Sequence, residues 1–363
     1  MIKKKQRQQI QTHLLDWYAK YQRDLPWRRT SDPYAIWISE IMLQQTQVAT
    51  AKPYYKRFLE KFPTVEALAK VPMDDVLKAW EGLGYYSRAR NLHRAAKAIV
   101  ETHGGKLPQA VDELLKLPGI GPYTAGAIAS IAFGLDEPVL DGNVIRVTSR
   151  LFRIHENPKE SSTQKKLWAL ARDLIPAGEA SFFNQALMDL GATICIPKKP
   201  RCLVCPLYGV CEARQQGEQD QLPIKVKRQK TPHYDLGVGI VWKDDQFLLV
   251  QRPKEGLLGG LWEFPGGEQN EGERLEACVR RQVKEKLDVK IKVNEHLTTV
   301  KHGFTHFKIT VHAFNCEFIS GKPTPNGVED WAWVSLKKLD DYALPKATHK
   351  VVQDLKKSIV IEP

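Results

Sequence analysis

The stretch LKLPGIGPYTAGAIASIA, residues 115–132, decides the fold of the first half of the chain. A helical run ends near Leu117. Pro118-Gly119-Ile120-Gly121 then makes a tight hairpin, and Pro122 suits the first position of a new helix, where its missing N–H would have no partner anyway. Gly119 and Gly121 let the backbone come close to another surface. The N–H groups that open the second helix can hold a phosphate oxygen. The segment reads as a helix-hairpin-helix, which grips a nucleic-acid backbone without reading bases; the plainer alternative is an αα-corner.

Working outward, the first 212 or so residues read as helical. Ile10, Leu14, Trp17, Tyr18 and Tyr21 recur at helical spacing and predict one apolar face. Similar segments are expected around 34–50, 65–79, 86–102, 111–117, 122–132 and 163–174, with breaks at Pro and Gly positions 26, 53, 63, 72, 82, 84 and 104–105. From Gln215 to His233 the character changes. This stretch is rich in Gln, lacks periodicity, and carries Pro223, Pro232, Lys225, Lys227, Arg228 and Lys230, as a linker across a charged surface would. Beyond it, LGVGIVWKDDQFLLVQR (236–252) predicts two strands around an Asp-Asp turn. GERLEACVRRQVKEKL (272–287) predicts a helix and KITVHAFNCEF (308–318) a further strand. The expected division is a helical domain at 1–214, a linker at 215–233 and an α/β or α+β domain at 234–363.

Bulk properties agree with two domains. The chain has 363 residues and 42% hydrophobic content, enough for real cores. Its formal net charge of +12 points to an anionic partner, most often nucleic acid, although a basic balance also occurs in proteins that are merely soluble. The N-terminus MIKKKQRQQIQTHLLDWY has no apolar core of a secretory signal, and no run approaches the roughly 20 apolar residues that span a bilayer. The expectation is a monomer with no membrane partner, in a compartment that keeps thiols reduced.

Cys195, Cys202, Cys205 and Cys211 follow in the spacing C-x6-C-x2-C-x5-C. Thiolates gathered this closely bind a metal centre or pair as disulfides. The uneven spacing without histidine argues against paired zinc knuckles. Four thiolates and no other ligand favour an iron–sulfur cluster, with zinc and disulfides as alternatives. Cys278 and Cys316 stand apart and read as buried small hydrophobes.

The hairpin, then Asp141 in VLDGNVIRV (139–147), then the four-cysteine spacing occur in that order. In that combination residues 5–212 resemble the endonuclease III superfamily of base-excision DNA glycosylases. The resemblance implies an all-α helix-hairpin-helix domain, a 4Fe-4S cluster on the four cysteines, and Gly119 and Gly121 against the DNA backbone. Members that also cut the strand carry a lysine two residues after the last hairpin glycine, whose amine forms a Schiff base with the sugar. Here that position is Tyr123, and a phenol forms no imine, so a monofunctional glycosylase is expected. WISEIMLQQTQV (37–48) further resembles a helix of the MutY-type adenine DNA glycosylases, which remove adenine mispaired with 8-oxoguanine.

That likeness implies named roles. Glu40 is the acid that protonates the leaving adenine, kept neutral by apolar neighbours such as Ile38, Ile41 and Met42. Asp141 stays ionised against the oxocarbenium-like sugar and bonds to it transiently. Asn143 orients Asp141, and Tyr123 supports the same group. Trp27 and Arg28, in LPWRRT (25–30), line the pocket for the flipped adenine, with Arg28 donating to its ring nitrogens. Gln185 in FNQALMDLGA (183–192) is either a further adenine contact or a core residue, since Phe182, Ala186 and Leu190 give that segment helical periodicity. Leu43, Gln45, Thr46, Leu83 and Tyr85 match positions set against the 8-oxoguanine, Tyr85 as the intercalating ring.

Residues 266–289, GGEQNEGERLEACVRRQVKEKLDV, resemble the Nudix box. That pattern ends in R-E-x-x-E-E, and here it is Arg281-Gln282-Val283-Lys284-Glu285-Lys286. Two of three carboxylates are replaced, one by a cation, so a magnesium site is badly weakened and hydrolase chemistry is expected to be lost while the fold stays. The C-terminal domain of MutY-type enzymes resembles the 8-oxo-dGTP hydrolase fold and recognises 8-oxoguanine through Phe-Ser-His. HGFTHF (302–307) supplies Phe304, Thr305 and His306, where Thr keeps the hydroxyl. The expected partner is double-stranded DNA carrying 8-oxoguanine:adenine or guanine:adenine mispairs, and the expected setting is bacterial and cytoplasmic, at the nucleoid. The rivals are a strand-cutting endonuclease III-like lyase, a Nudix hydrolase and a non-catalytic DNA-binding protein.

Overall fold

The computed structural model describes residues 2–224 and 231–361, so Lys225, Lys227, Arg228 and Lys230 of the expected linker lie outside the described residues. The helices come first in the chain: α1 (Lys4–Tyr21), α2 (Pro33–Leu43), α3 (Val48–Lys61), α4 (Val65–Lys70), α5 (Met73–Trp80), α6 (Ser87–His103), α7 (Val111–Lys116), α8 (Pro122–Phe133), α9 (Gly142–Leu151), α10 (Ser161–Leu174), α11 (Ala180–Thr193) and α12 (Glu212–Gln215). Strands follow: β1 (His233–Lys243), β2 (Gln246–Gln251), β3 (Trp262–Glu263), β4 (Gly266–Glu268), β5 (Lys290–Gly303), β6 (Lys308–Ser320) and β7 (Asp330–Ser335). Helices α13 (Leu275–Leu287) and α14 (Lys346–Ile361) belong to the same half.

The chain forms two compact units, Met1–Lys70 with Arg94–Arg228 and Val71–His93 with Gln229–Pro363. Residues 71–93, inside the helical part by sequence, therefore group with the strand-bearing part.

In the first unit, Ile10, Leu14 and Tyr18 of α1 pack with Val144 and Val147 of α9, Leu167 of α10, and Leu187 and Leu190 of α11. Each such side chain contributes about 1.5–3 kcal/mol of burial. The buried stripe of α1 stops at Tyr18: Trp17 is half-buried and Tyr21 is exposed, so the apolar face is narrower than its spacing suggests. The segment expected at 34–50 is two helices. The chain turns between Leu43 and Val48, with Gln45 at φ +58. Pro53 breaks nothing and sits inside α3, whereas Pro72 does separate α4 from α5. The hairpin between α7 and α8 is as read. Gly119 takes φ +79, Ile120 is buried beneath the turn, and Pro122 opens α8.

In the second unit the sheet runs in the order β3-β2-β1-β6-β5, with β4 beside β1 and β7 beside β2. β1 and β6 pair in parallel and β5 and β6 antiparallel. The expected Asp-Asp turn joins β1 to β2, with Asp244 at φ +54. Side chains of β2 alternate between two cores, as the two-residue period of a strand demands. Phe247 and Leu249 join Val351 and Leu355 of α14, while Leu248 and Val250 join Val279, Val283 and Leu287 of α13. Cys278 and Cys316 are buried, as expected.

Candidate active site

Helix α2 is apolar all round, and every residue from Tyr34 to Met42 is buried. Asp32 starts it by accepting the N–H groups of Tyr34 and Ala35 at 3.0 and 3.3 Å, and Pro33 fills the first position. Glu40 is thus an acid inside an apolar helix, 4% exposed. Burial pushes its carboxyl up to about 7, the charge of Asp141 adds to this, and the hydrogen bond from Tyr123 works against it. Tyr123, at the second position of α8, donates to Glu40 Oε2 at 2.6 Å and lies 3.4 Å from Met188 Sδ. The hydrogen bond of the phenol goes to Glu40, because the start of α8 packs on α2, while Asp141 acts on Tyr123 through its charge.

Asp141 caps α9. Its Oδ1 accepts the Val144 N–H at 2.7 Å and its Oδ2 the Asn143 amide at 2.8 Å. Burial raises the Asp141 carboxyl too, while the hydrogen bonds from Val144 and Asn143 oppose the rise. The two carboxyls are therefore both shifted upward. They differ in their bonds: Asp141 receives two donors that favour its charge, Glu40 a single phenol. Asn143 is held in turn by Arg146, whose Nη2 donates to Asn143 Oδ1 and to the Gly191 carbonyl, each at 2.8 Å, and whose Nε donates to the Cys195 carbonyl at 2.8 Å.

A cavity of about 760 Å³ brings Glu40, Asp141, Tyr123, Asn143, Trp27, Arg28 and Gln185 together, with Leu43, Gln45, Thr46 and Gly121 also on its wall. Trp27 is buried and meets Tyr55 edge to face at 5.4 Å. Arg28 has partners within the protein. Its fork is committed to Asp189, with both Nη groups at 2.6 Å, and Nη1 also donates to the Arg23 carbonyl. Arg23 binds the same carboxylate through Nε at 2.7 Å. Asp189 is fully buried, and this pairing, with its donors from two arginines, overcomes burial and holds it below the usual carboxylate range. Gln185 both lines the cavity and bonds within the protein, accepting Tyr18 Oη at 3.4 Å and donating to the Ser181 carbonyl at 3.2 Å. Phe182 is 54% exposed, because the buried stripe of α11 runs one residue later, through Phe183, Ala186, Leu187 and Leu190. Arg23, Asp189, Arg146 and Met188 escaped the sequence reading. A lone Asp in an apolar helix was the available signal for Asp189.

Leu83, Tyr85, Phe304, Thr305 and His306 lie in the other compact unit. There Tyr85 Oη and Thr305 Oγ1 share a hydrogen bond of 2.6 Å. Phe304 stacks on Phe307 at 4.6 Å. On α13, Arg281 bonds Glu273 at 2.6 Å and Glu285 at 3.3 Å, and Lys286 donates to the Gly266 carbonyl. The hydrogen bonds from Arg281 hold Glu273 down to about 2.

Cys195, Cys202, Cys205 and Cys211 line one small cavity together with Arg150, Tyr208 and Arg214, and no histidine or carboxylate shares its wall. Arg150 is buried, donates to Cys195 Sγ at 3.3 Å and fixes the loop through the carbonyls of Ile196 and Leu222 at 2.8 and 2.9 Å. Burial pushes the Cys205 thiol up to about 12, a rise that a bound cation would offset. No three His, Cys, Asp or Glu side chains among the described residues are arranged around a single metal ion. None of the described helices is long and apolar enough to cross a membrane.

Residues 38–173 match the model of the HhH-GPD superfamily of base excision DNA repair proteins, and residues 237–354 that of the NUDIX domain. The chain is 36% identical to the adenine DNA glycosylase of Homo sapiens over 93% of its own length and 72% of that protein. It is 36% identical to the adenine DNA glycosylase of Buchnera aphidicola over 95% of its length and 97% of that protein. A thermostable thymine-DNA glycosylase superposes with a TM-score of 0.55 at 34% identity, covering 58% of this chain and 98% of that one. A trapped endonuclease III–DNA covalent intermediate superposes with a TM-score of 0.52 at 25% identity, covering 60% and 99%.

Proposed function

This chain belongs to the adenine DNA glycosylases, and from that premise we propose that it hydrolyses the N-glycosidic bond of adenine paired with 8-oxoguanine, or with guanine, in duplex DNA, leaving an abasic site. The observation that carries this reading is one cavity lined by two carboxyls in unlike settings, Glu40 under a single phenol and Asp141 under a helix N-terminus.

The adenine turns out of the stack into this cavity. Trp27 supplies an apolar wall, Gln185 a polar edge, and Arg28 the N–H groups that Asp189 and Arg23 do not take. Glu40, protonated near neutral pH, gives its proton to the departing base. Tyr123 keeps the carboxyl aimed and bears the charge left on it. The sugar becomes oxocarbenium-like, and Asp141, held by Val144 and Asn143, stabilises it and bonds to it until water releases the abasic site. Tyr123 offers no amine, so strand cutting through a Schiff base does not follow. Gly119 and Gly121 meet the backbone. Leu43, Gln45, Thr46, Leu83 and Tyr85 face the lesion strand.

In this reading residues 1–214 are the glycosylase domain, 215–233 the linker and 234–363 the lesion-recognition domain, which uses Phe304, Thr305 and His306. Its Nudix helix holds no magnesium, because Arg281 engages the remaining glutamates and Lys286 takes a carboxylate position. Cys195, Cys202, Cys205 and Cys211 would hold a 4Fe-4S cluster, one thiolate per iron. Bound there, it would hold the loop of Lys198, Lys199 and Arg201 in place for phosphate contact, with the bond breaking left to Glu40 and Asp141.

The test is a glycosylase assay on four duplexes, with adenine or cytosine opposite guanine or 8-oxoguanine, each developed with and without alkali. Release from the adenine duplexes alone, with breaks only after alkali, is expected. Breaks without alkali, or equal release of cytosine, would overturn the assignment.

A further inference from the structure

Within the second unit, the hydrogen bond between Tyr85 and Thr305 joins two loops that have no contact in sequence. The Tyr85 loop is under constraint. Tyr85 takes φ +49, a left-handed conformation that is unfavourable for a residue with a side chain. Such a conformation persists only where the surroundings impose it. Trp80 Nε1 and Arg88 Nη2 both donate to the Gly84 carbonyl, at 3.2 and 3.0 Å, and Gly82 N–H donates to Tyr86 Oη at 3.1 Å.

Glu81 anchors this loop to the C-terminal segment. Its Oε1 accepts the Leu344 N–H and the His349 ring, each at 2.7 Å, and its Oε2 accepts Lys78 at 2.8 Å. Lys78 also donates to the Tyr342 carbonyl at 2.9 Å. Beside His349, Lys350 donates to the Lys301 carbonyl at 3.1 Å, and Lys301 lies in β5, whose end leads into Thr305. Glu81 thus ties the Tyr85 loop to the segment that opens α14, and from that same segment Lys350 reaches the strand that leads into Thr305.

We propose that Glu81 is a positioning residue for lesion discrimination: by tying the Tyr85 loop to the Leu344–His349 segment, it registers the phenol of Tyr85 against Thr305. This rests on the reading that Tyr85 and Thr305 face the base opposite adenine. Glu81 does not line the cavity that holds Glu40 and Asp141, so its effect falls on the choice of partner base and not on bond cleavage.

The experiment measures steady-state adenine release, with kcat and KM resolved, opposite 8-oxoguanine and opposite guanine, for the full-length wild type, Glu81→Ala, Glu81→Gln, Tyr85→Phe and Glu81→Ala/Tyr85→Phe. Glu81→Ala is expected to lower kcat/KM opposite 8-oxoguanine about tenfold and opposite guanine less than threefold. Glu81→Gln, which keeps the acceptor for Leu344, retains part of the preference and guards against loss of fold. The double variant is no worse than Tyr85→Phe alone. Equal losses on both duplexes, or additive losses in the double variant, would overturn the proposal. If the wild type and Tyr85→Phe both lack a preference for 8-oxoguanine, the reading beneath it fails first; if only the Glu81 variants are silent, this inference alone fails.

Discussion

Glu40 and Asp141 show how environment separates two chemically similar side chains. On the proposed reading adenine release requires the Glu40 proton, so the rate should fall about tenfold per pH unit above roughly 7, where burial has moved that carboxyl. Tyr123→Phe removes a hydrogen bond that favours the charged form, so the falling limb should move to higher pH even as the maximum drops; a pH profile of single-turnover rates checks both. Asp141→Asn should lower the rate about 100- to 1,000-fold, the range for removing an electrostatic partner of the transition state, while duplex affinity is kept. The residues proposed to bear this chemistry were legible because they sit inside recognisable segments. The partner of Arg28 was not: Asp189 lies 161 residues away, and spacing says nothing about ion pairs across that distance. The same holds for Tyr123, whose bond to Glu40 depends on how α8 packs against α2 and not on its own neighbours.

At the level of elements, the hairpin makes two glycines do different work. Gly119 sits at φ +79, where any side chain is strained, whereas Gly121 is extended and a Cβ there would meet nothing within 4 Å. Gly119→Ala should therefore lower the melting temperature, by an amount equivalent to about 1 kcal/mol. Gly121→Ala should leave melting unchanged and weaken duplex binding, since its methyl group points into open space where a backbone would approach. Calorimetry and a binding titration on the pair separate the two roles. The hairpin could be read from sequence because Pro and Gly have few conformations to choose from. The break between α2 and α3 could not, because it falls at Gln45 with neither residue present, and Pro53 was misleading because α3 runs straight through it. Strands β1, β2 and β6 were legible from alternation, while the grouping of residues 71–93 with the sheet was not, since it rests on contacts with segments more than 160 residues later.

For the molecule as a whole, the net charge of +12 implies that duplex affinity drops steeply with salt, and Lys198, Lys199 and Arg201 should account for part of the slope. Cys205→Ser should lower both the melting temperature and duplex affinity, with loss of any iron–sulfur absorbance; unchanged affinity would separate the cysteine cavity from DNA contact. Helix α2 has a further consequence, for the free energy of folding itself. An unfolded chain releases the Glu40 proton near its ordinary value of 4.5, but the native state keeps it up to about 7. Between those values the native state binds one proton more, so stability falls as pH rises across that window, and a loss of roughly 3 kcal/mol is complete above it. Glu40→Gln should therefore melt higher than the wild type at pH 8.5 and nearly the same at pH 4.5. On the proposed reading folding and base release draw on the same proton, so the burial that keeps Glu40 protonated near neutral pH costs stability at alkaline pH.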